Sequence, residues 1–233
     1  MRVAIVENTA ITHHGQLGVA LHEQAARIGL YRPFADGALP DMSRYDALVV
    51  FGGEQAATDD RIHPYLPRLA GLMAGTAEAG KAVLGICLGA QILARGLGAE
   101  NRLGVAREFG WCEVASTTAA PGDPVLGALP ARFPIFQWHA DTFTLPPGAL
   151  HLARSEVAEV QCYRWGRAGY GMQFHFEVNR PMAADWLREF PGLIERQSPG
   201  WAEAFPRLAA TTGAVADAHG LALARAWVAQ IGG

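Results

Sequence analysis

The chain has 233 residues, 50% of them hydrophobic and 18% charged, with a formal net charge of -3 at pH 7. Such a chain can bury a sizeable core, which excludes intrinsic disorder, and its near-neutral balance gives no electrostatic case for a nucleic-acid or anionic-membrane partner. The most apolar stretch, Ala82 to Ala94, is broken by Gln91 and falls short of the roughly 20 residues that span a bilayer. Three cysteines, Cys87, Cys112 and Cys162, make no disulfide framework, and the N-terminus turns polar at Glu7, too early for a secretory signal. A cytoplasmic setting is expected.

Val3 to Val6 reads as a β-branched strand, and Gly15 to Ile28 follows with helical spacing up to Gly29. Tyr45 to Phe51 gives a second strand ending at Gly52-Gly53, and Pro64 to Ala79 a second helix. Lys81 to Ile86 is a continuous apolar run, the pattern of a strand covered on both faces, and Leu88 to Leu97 continues as a helix. This alternation predicts a parallel sheet with crossover helices. From Phe109 the texture changes to shorter strand-like pieces at Gly110–Ala115, Phe133–Phe136, Ala149–Ala153, Val160–Trp165 and Tyr170–Phe174. The tail from Pro181 returns to helical spacing, and neither a repeat nor a low-complexity segment interrupts the chain.

Gly85-Ile86-Cys87-Leu88-Gly89 lies between a strand and a helix, the layout of a nucleophile elbow. So tight a turn needs small residues beside the nucleophile, and it leaves Cys87 at a helix N-terminus, where free N–H groups favour a thiolate. The bland reading, a small core cysteine, does not account for both glycines. A base for the thiol is expected in His175-Phe176-Glu177. Residues two apart on an extended segment project to one side, so Glu177 can orient His175 while His175 handles the thiol proton. A rival gathers His139, Asp141, His175 and Glu177 around a metal ion, but it leaves the elbow unexplained. Gly75 to Ala82 misses a phosphate-binding loop, because Ala82 lacks the hydroxyl and the glycines precede a strand. Ligands of a parallel sheet bind beyond the C-terminal strand ends, where Gly52-Gly53 also lies, so its backbone N–H can pair with that of Leu88 as an oxyanion hole. The remaining cysteines, and His13, His14, His63, His151 and His219, have no partner at useful spacing and read as structural or solvent-facing.

Gly85-Ile86-Cys87-Leu88-Gly89-Ala90-Gln91 and His175-Phe176-Glu177 together resemble the class I glutamine amidotransferases. The likeness extends to Gly52-Gly53, Glu108-Phe109-Gly110-Trp111, Gln137-Trp138-His139-Ala140-Asp141-Thr142-Phe143 and Gly171-Met172-Gln173-Phe174, over roughly Met1 to Val178, and is strongest to stand-alone relatives of the glutaminase domain of GMP synthase. It implies a three-layer, flavodoxin-like α/β fold with a mainly parallel central sheet, a strand-rich second half and extra C-terminal helices. Residues 1–180 would form the glutaminase-like domain and residues 181–233 a helical extension packed on it, covering an otherwise exposed apolar edge or face.

The resemblance further implies that Cys87 attacks the side-chain amide of glutamine to give a γ-glutamyl thioester, with His175 protonating the departing ammonia and Glu177 orienting His175. Gly53 and Leu88 would bind the oxyanion, and Gln91, Trp138, His139 and Asp141 would lie at the glutamine site. No cofactor and no metal is required. The chain departs from the family pattern at Phe176, where proline is usual, and at Glu54-Gln55 after the glycine pair. The residues after Val178 are too few for a synthetase domain and carry no phosphate loop, so the expectation is that the ammonia goes to a separate synthetase subunit, or that the chain hydrolyses glutamine or a γ-glutamyl conjugate by itself. A non-catalytic module of the same fold is the third reading, and the intact Cys87, His175 and Glu177 argue against it.

Overall fold

A computed structural model of the protein describes residues 1–232, and in it the apolar runs of the first half become a parallel sheet. The strands are β1 (Arg2–Val6), β2 (Arg27–Tyr31), β3 (Ala47–Val50) and β4 (Ala82–Ile86), linked by helices α1 (Gly15–Glu23), α2 (Pro33–Asp36) and α3 (Leu66–Glu78), with α4 (Leu88–Gly96) after β4. The second half supplies β5 (Asn101–Arg102), β6 (Glu108–Ser116), β7 (Arg132–His139), β8 (Thr142–Phe143), β9 (Leu150–Arg154), β10 (Cys162–Trp165) and β11 (Gly169–Met172). The tail is helical: α5 (Arg180–Glu189), α6 (Pro191–Gln197), α7 (Trp201–Leu208) and α8 (Ala214–Val228), the last two joined by a π-turn at Ala209–Gly213.

Among the described residues nine strands form one sheet in the order β2-β1-β3-β4-β11-β10-β9-β6-β7. The first five run parallel, and the rest add antiparallel through β10, β9, β6 and β7. β3 and β4 are buried along their whole length, as a strand covered on both faces must be. Alternate residues sort the core into two layers. Ile5, Val49 and Leu84 pack with Leu17 and Leu21 of α1 and Trp227 of α8 on one face, whereas Val6, Leu48 and Val50 meet Leu69, Met73 and Leu93 of α3 and α4 on the other. The result is the expected three-layer α/β architecture.

The first helix is shorter than its spacing predicts. Ala25 adopts a left-handed φ of 49° and the chain reverses, so that Arg27 to Tyr31 pair with β1 as an edge strand. Ile28, assigned by spacing to the end of a helix, instead lies on that edge strand and, like Leu30, stays nearly half exposed. In the tail, α5 to α7 close a third apolar cluster in which Trp186, Trp201 and Phe205 pack on Phe109, Trp111 and Phe136 of β6 and β7.

Candidate active site

Cys87 sits between β4 and α4 with φ 53° and ψ −111°, a strained backbone for a residue with a side chain. Both flanking glycines are sterically enforced. A Cβ on Gly85 would stand 2.3 Å from the carbonyl oxygen of Gly89, and one on Gly89 2.1 Å from that of Val50. The turn is tied down where the Cys87 N–H donates to the Met172 carbonyl over 2.8 Å, and the Cys87 thiol lies 3.7 Å from the Trp138 carbonyl oxygen. Leu88 is the first residue of α4, where N–H groups have no intrahelical acceptor. The other two cysteines lie away from this turn, on β6 and β10. Burial, with Glu108 nearby, pushes Cys112 up to about 11, and burial raises Cys162 well above the usual thiol range, so both stay protonated.

His175 follows β11, and its Nδ1 is 2.7 Å from Oε1 of Glu177. Burial alone would lower the basicity of the imidazole. The charge of Glu177, then that of Cys87, and hydrogen bonds to both outweigh it and raise the pKa well above the ordinary 6.5. The loop is gripped from three sides: the His175 N–H donates to Phe136 O (2.8 Å), the Gln16 N–H at the start of α1 donates to Glu177 O (2.9 Å), and Gly220 of α8 approaches Phe176 so closely that a Cβ would fall 2.1 Å from its carbonyl oxygen. Phe176, in place of the family's proline, is wholly buried in the core that α8 covers.

Gly52 and Gly53 continue from β3 past both reactive side chains. A Cβ on Gly52 would come 3.3 Å from Cys87 Cβ and 3.3 Å from His175 Cε1. A network that the sequence did not announce holds this loop. Asn8 donates to Phe51 O (2.8 Å), Gln55 donates to Asn8 O (2.7 Å), and Tyr65 donates to Asn8 Oδ1 (3.2 Å). The Tyr65 hydroxyl is pushed up to about 12 by burial and by Glu54. The charged Glu54 lies on the cavity rim that Gly53 also lines.

The sequence candidates divide into two groups. Cys87, His175, Glu177, Gly53 and Trp138 line one cavity of about 430 Å³. Gln91, His139 and Asp141 stand behind it. Gln91 donates to Gln173 Oε1 (3.1 Å) and approaches the Asp141 carbonyl (3.5 Å), His139 Nδ1 meets the same carbonyl (3.0 Å), and the Asp141 carboxylate accepts from the Gly104 N–H (2.7 Å). His139 Nε2 is 3.2 Å from Glu108, without hydrogen-bond alignment. The rival metal set therefore does not converge, and among the described residues no group of three or more His, Cys, Asp or Glu side chains is arranged to hold an ion.

Two parts of the cavity lining were not legible in the motifs, nor was the His14 contact behind Phe51. His13, read as unpartnered, lines the cavity and is 2.9 Å from Asp185 of α5. His14 bonds Glu7 (2.9 Å) and stacks on Phe51. From the tail, Trp186, Phe190 and Leu193 complete the cavity, with Trp186 edge-on to His175 at 5.7 Å between ring centroids. The tail thus reaches the reactive residues as well as covering apolar surface.

The structure thus sets a cysteine on a strained strand-to-helix turn near a histidine held by a carboxylate, at the C-terminal edge of the parallel strands of a three-layer α/β fold. The sequence profile of the glutamine amidotransferase class-I family matches residues 19–190, and the chain belongs to that family. It is 31% identical over 208 residues to a glutamine amidotransferase-like protein, YfeJ, of Salmonella typhimurium, covering 88% of this chain and 84% of that one. It is 29% identical to a glutamine-hydrolysing GMP synthase subunit of Natronomonas pharaonis, over 81% of this chain and 94% of the relative. Among solved structures, a glutamine amidotransferase from Thermotoga maritima superimposes with a TM-score of 0.84 at 26% identity, covering 100% of this chain and 99% of the other. No helix among the described residues is long and apolar enough to cross a membrane.

Proposed function

We propose that the protein cleaves the γ-glutamyl amide bond of glutamine through a covalent thioester on Cys87. The supporting observation is the strained Cys87 turn placed against a His175–Glu177 pair whose Nδ1 to Oε1 distance is 2.7 Å. The thiolate attacks the amide carbonyl, and the backbone N–H groups of Gly53 and Leu88 receive the developing oxyanion. Imidazolium His175 protonates the nitrogen as the C–N bond breaks, then removes a proton from the water that opens the thioester to glutamate. Glu177 keeps the ring oriented and stabilises its charged form. Gln91, His139 and Asp141 position the Trp138 segment from behind, while Trp138 itself faces the substrate. Residues 1–180 hold the reacting groups and the 181–233 extension closes the pocket. The chemistry calls on no cofactor.

The fate of the nitrogen has two readings. Similarity to a separate GMP synthase subunit over nearly its whole length supports transfer of ammonia to a partner synthetase. The apolar cavity wall contributed by the tail supports autonomous hydrolysis of a γ-glutamyl conjugate. Ammonia and glutamate release from glutamine by the purified chain, run beside Cys87→Ala, tests the shared chemistry: turnover is expected in the wild type alone, and turnover retained by the variant refutes the nucleophile.

A further inference from the structure

On the reading that Cys87 opens γ-glutamyl amides, we infer that the preferred amide nitrogen carries an apolar aryl or alkyl group lacking a carboxylate, which seats against Trp186, Phe190 and Leu193. The leaving nitrogen must come within hydrogen-bond reach of His175 to receive its proton. His175 stands against the edge of Trp186, so a substituent on that nitrogen projects toward the wall of α5 and α6. Trp186 and Phe190 are themselves braced on Trp138, at 5.1 and 5.8 Å between centroids, and present a preformed aromatic surface. Ile11 also lines the cavity.

Departing ammonia is about the size of a water, which occupies about 30 Å³ of liquid, and would leave this wall bare in a cavity of about 430 Å³. Ile11 and Leu193 remain 39% and 42% exposed, an apolar lip that a bound hydrocarbon would cover. Charge narrows the class further. No Arg or Lys lines the cavity, and the one imidazole besides His175, that of His13, is already hydrogen-bonded to Asp185. An amino-acid leaving group would bring its carboxylate against this apolar wall without a cationic partner, in a cavity whose rim also carries Glu54. The hydrolysis balances: water adds across the amide to give glutamate and the free amine, which leaves with the His175 proton, and His175 recovers a proton from the attacking water.

The test compares kcat/KM for glutamine, γ-glutamyl-phenethylamide and γ-glutamyl-phenylalanine, the last two differing by one carboxylate. The phenethylamide is expected to exceed both others by at least about tenfold, the scale on which apolar and polar leaving-group contacts discriminate. Phe190→Ala should shrink its advantage over glutamine. Leu193→Arg, at an exposed position, should raise γ-glutamyl-phenylalanine relative to the phenethylamide, a gain that mere loss of folding does not produce. Glutamine preferred over the phenethylamide, ratios unmoved by both substitutions, or no phenethylamide turnover by a chain whose Cys87 is still alkylated by a glutamine-like electrophile would overturn the inference. Hydrolysis that persists in Cys87→Ala would instead overturn the nucleophile reading on which it rests.

Discussion

Gly89→Ala puts the elbow geometry to a quantitative test. The new Cβ would lie 2.1 Å from the Val50 carbonyl oxygen and 2.8 Å from its carbon, both backbone atoms of a fully buried strand. Relief to the 3.0 Å that real Cβ contacts respect requires α4 and β3 to part by about 0.9 Å. Overpacking of this kind costs about 1–3 kcal/mol in stability. Because Cys87 caps the same helix, the displacement also moves the sulfur relative to His175, and a misplacement near 1 Å costs about 100-fold in rate. Gly75→Ala is the matched control: it lies exposed in the interior of α3 with nothing near the added methyl, and should stabilise by about 0.5–1 kcal/mol through helix propensity. Urea unfolding together with glutamine turnover measures both. A Gly89→Ala enzyme as stable and active as the wild type would refute the claim that this glycine is sterically required.

Glu177→Gln removes the charge that does most to raise His175, so kcat should fall by about 10²–10⁴ while the fold persists; an unchanged kcat would exclude an orienting role for Glu177. Linkage sets a sign for stability. His175 has a folded pKa above the ordinary 6.5, so its imidazolium contributes fully below that value and the contribution is lost as pH rises through the folded pKa. The unfolding free energy of the wild type minus that of His175→Gln should therefore shrink as pH rises above the ordinary 6.5 toward the raised folded value; a difference that grows contradicts the assignment. Away from the site, Asp123 is nearly inaccessible and binds Arg164 (2.8 Å), the Tyr170 hydroxyl (3.1 Å) and the N–H groups of Val125 (2.9 Å) and Leu126 (3.0 Å). Asp123→Ala should cost about 3–5 kcal/mol by denaturant unfolding, through the uncompensated Arg164, and leave kcat per folded molecule unchanged.

What could be read from the sequence follows from how local each signal is. β3, β4 and α4 were visible because both faces of a central parallel strand are buried and leave an unbroken apolar run, and because Gly85 and Gly89 both lie two residues from Cys87, the first constrained locally by the Gly89 carbonyl even though the second is held by Val50 across the sheet. β2 was hidden. An edge strand wets one side, Gly29 imitates a helix terminator, and Ala25 turns the chain with a left-handed φ that no glycine announces. The cavity wall was hidden for another reason: Trp186, Phe190 and Leu193 show helical spacing, but only the docking of α5 and α6 on Trp138 carries them to His175. The same holds for Asn8 and Gln55, whose bonds to the Gly52-Gly53 loop join residues 43 and 47 positions apart at their longest reaches.

The central claim, that Cys87 carries the glutamyl group, is tested most directly by acid-quenching the enzyme during turnover of a γ-glutamyl amide and mapping the modified peptide by mass spectrometry. A γ-glutamyl adduct on Cys87, labile to hydroxylamine and absent from Cys87→Ala, is the predicted result. Product formation with Cys87 unmodified throughout, and equal product from Cys87→Ala, would contradict it.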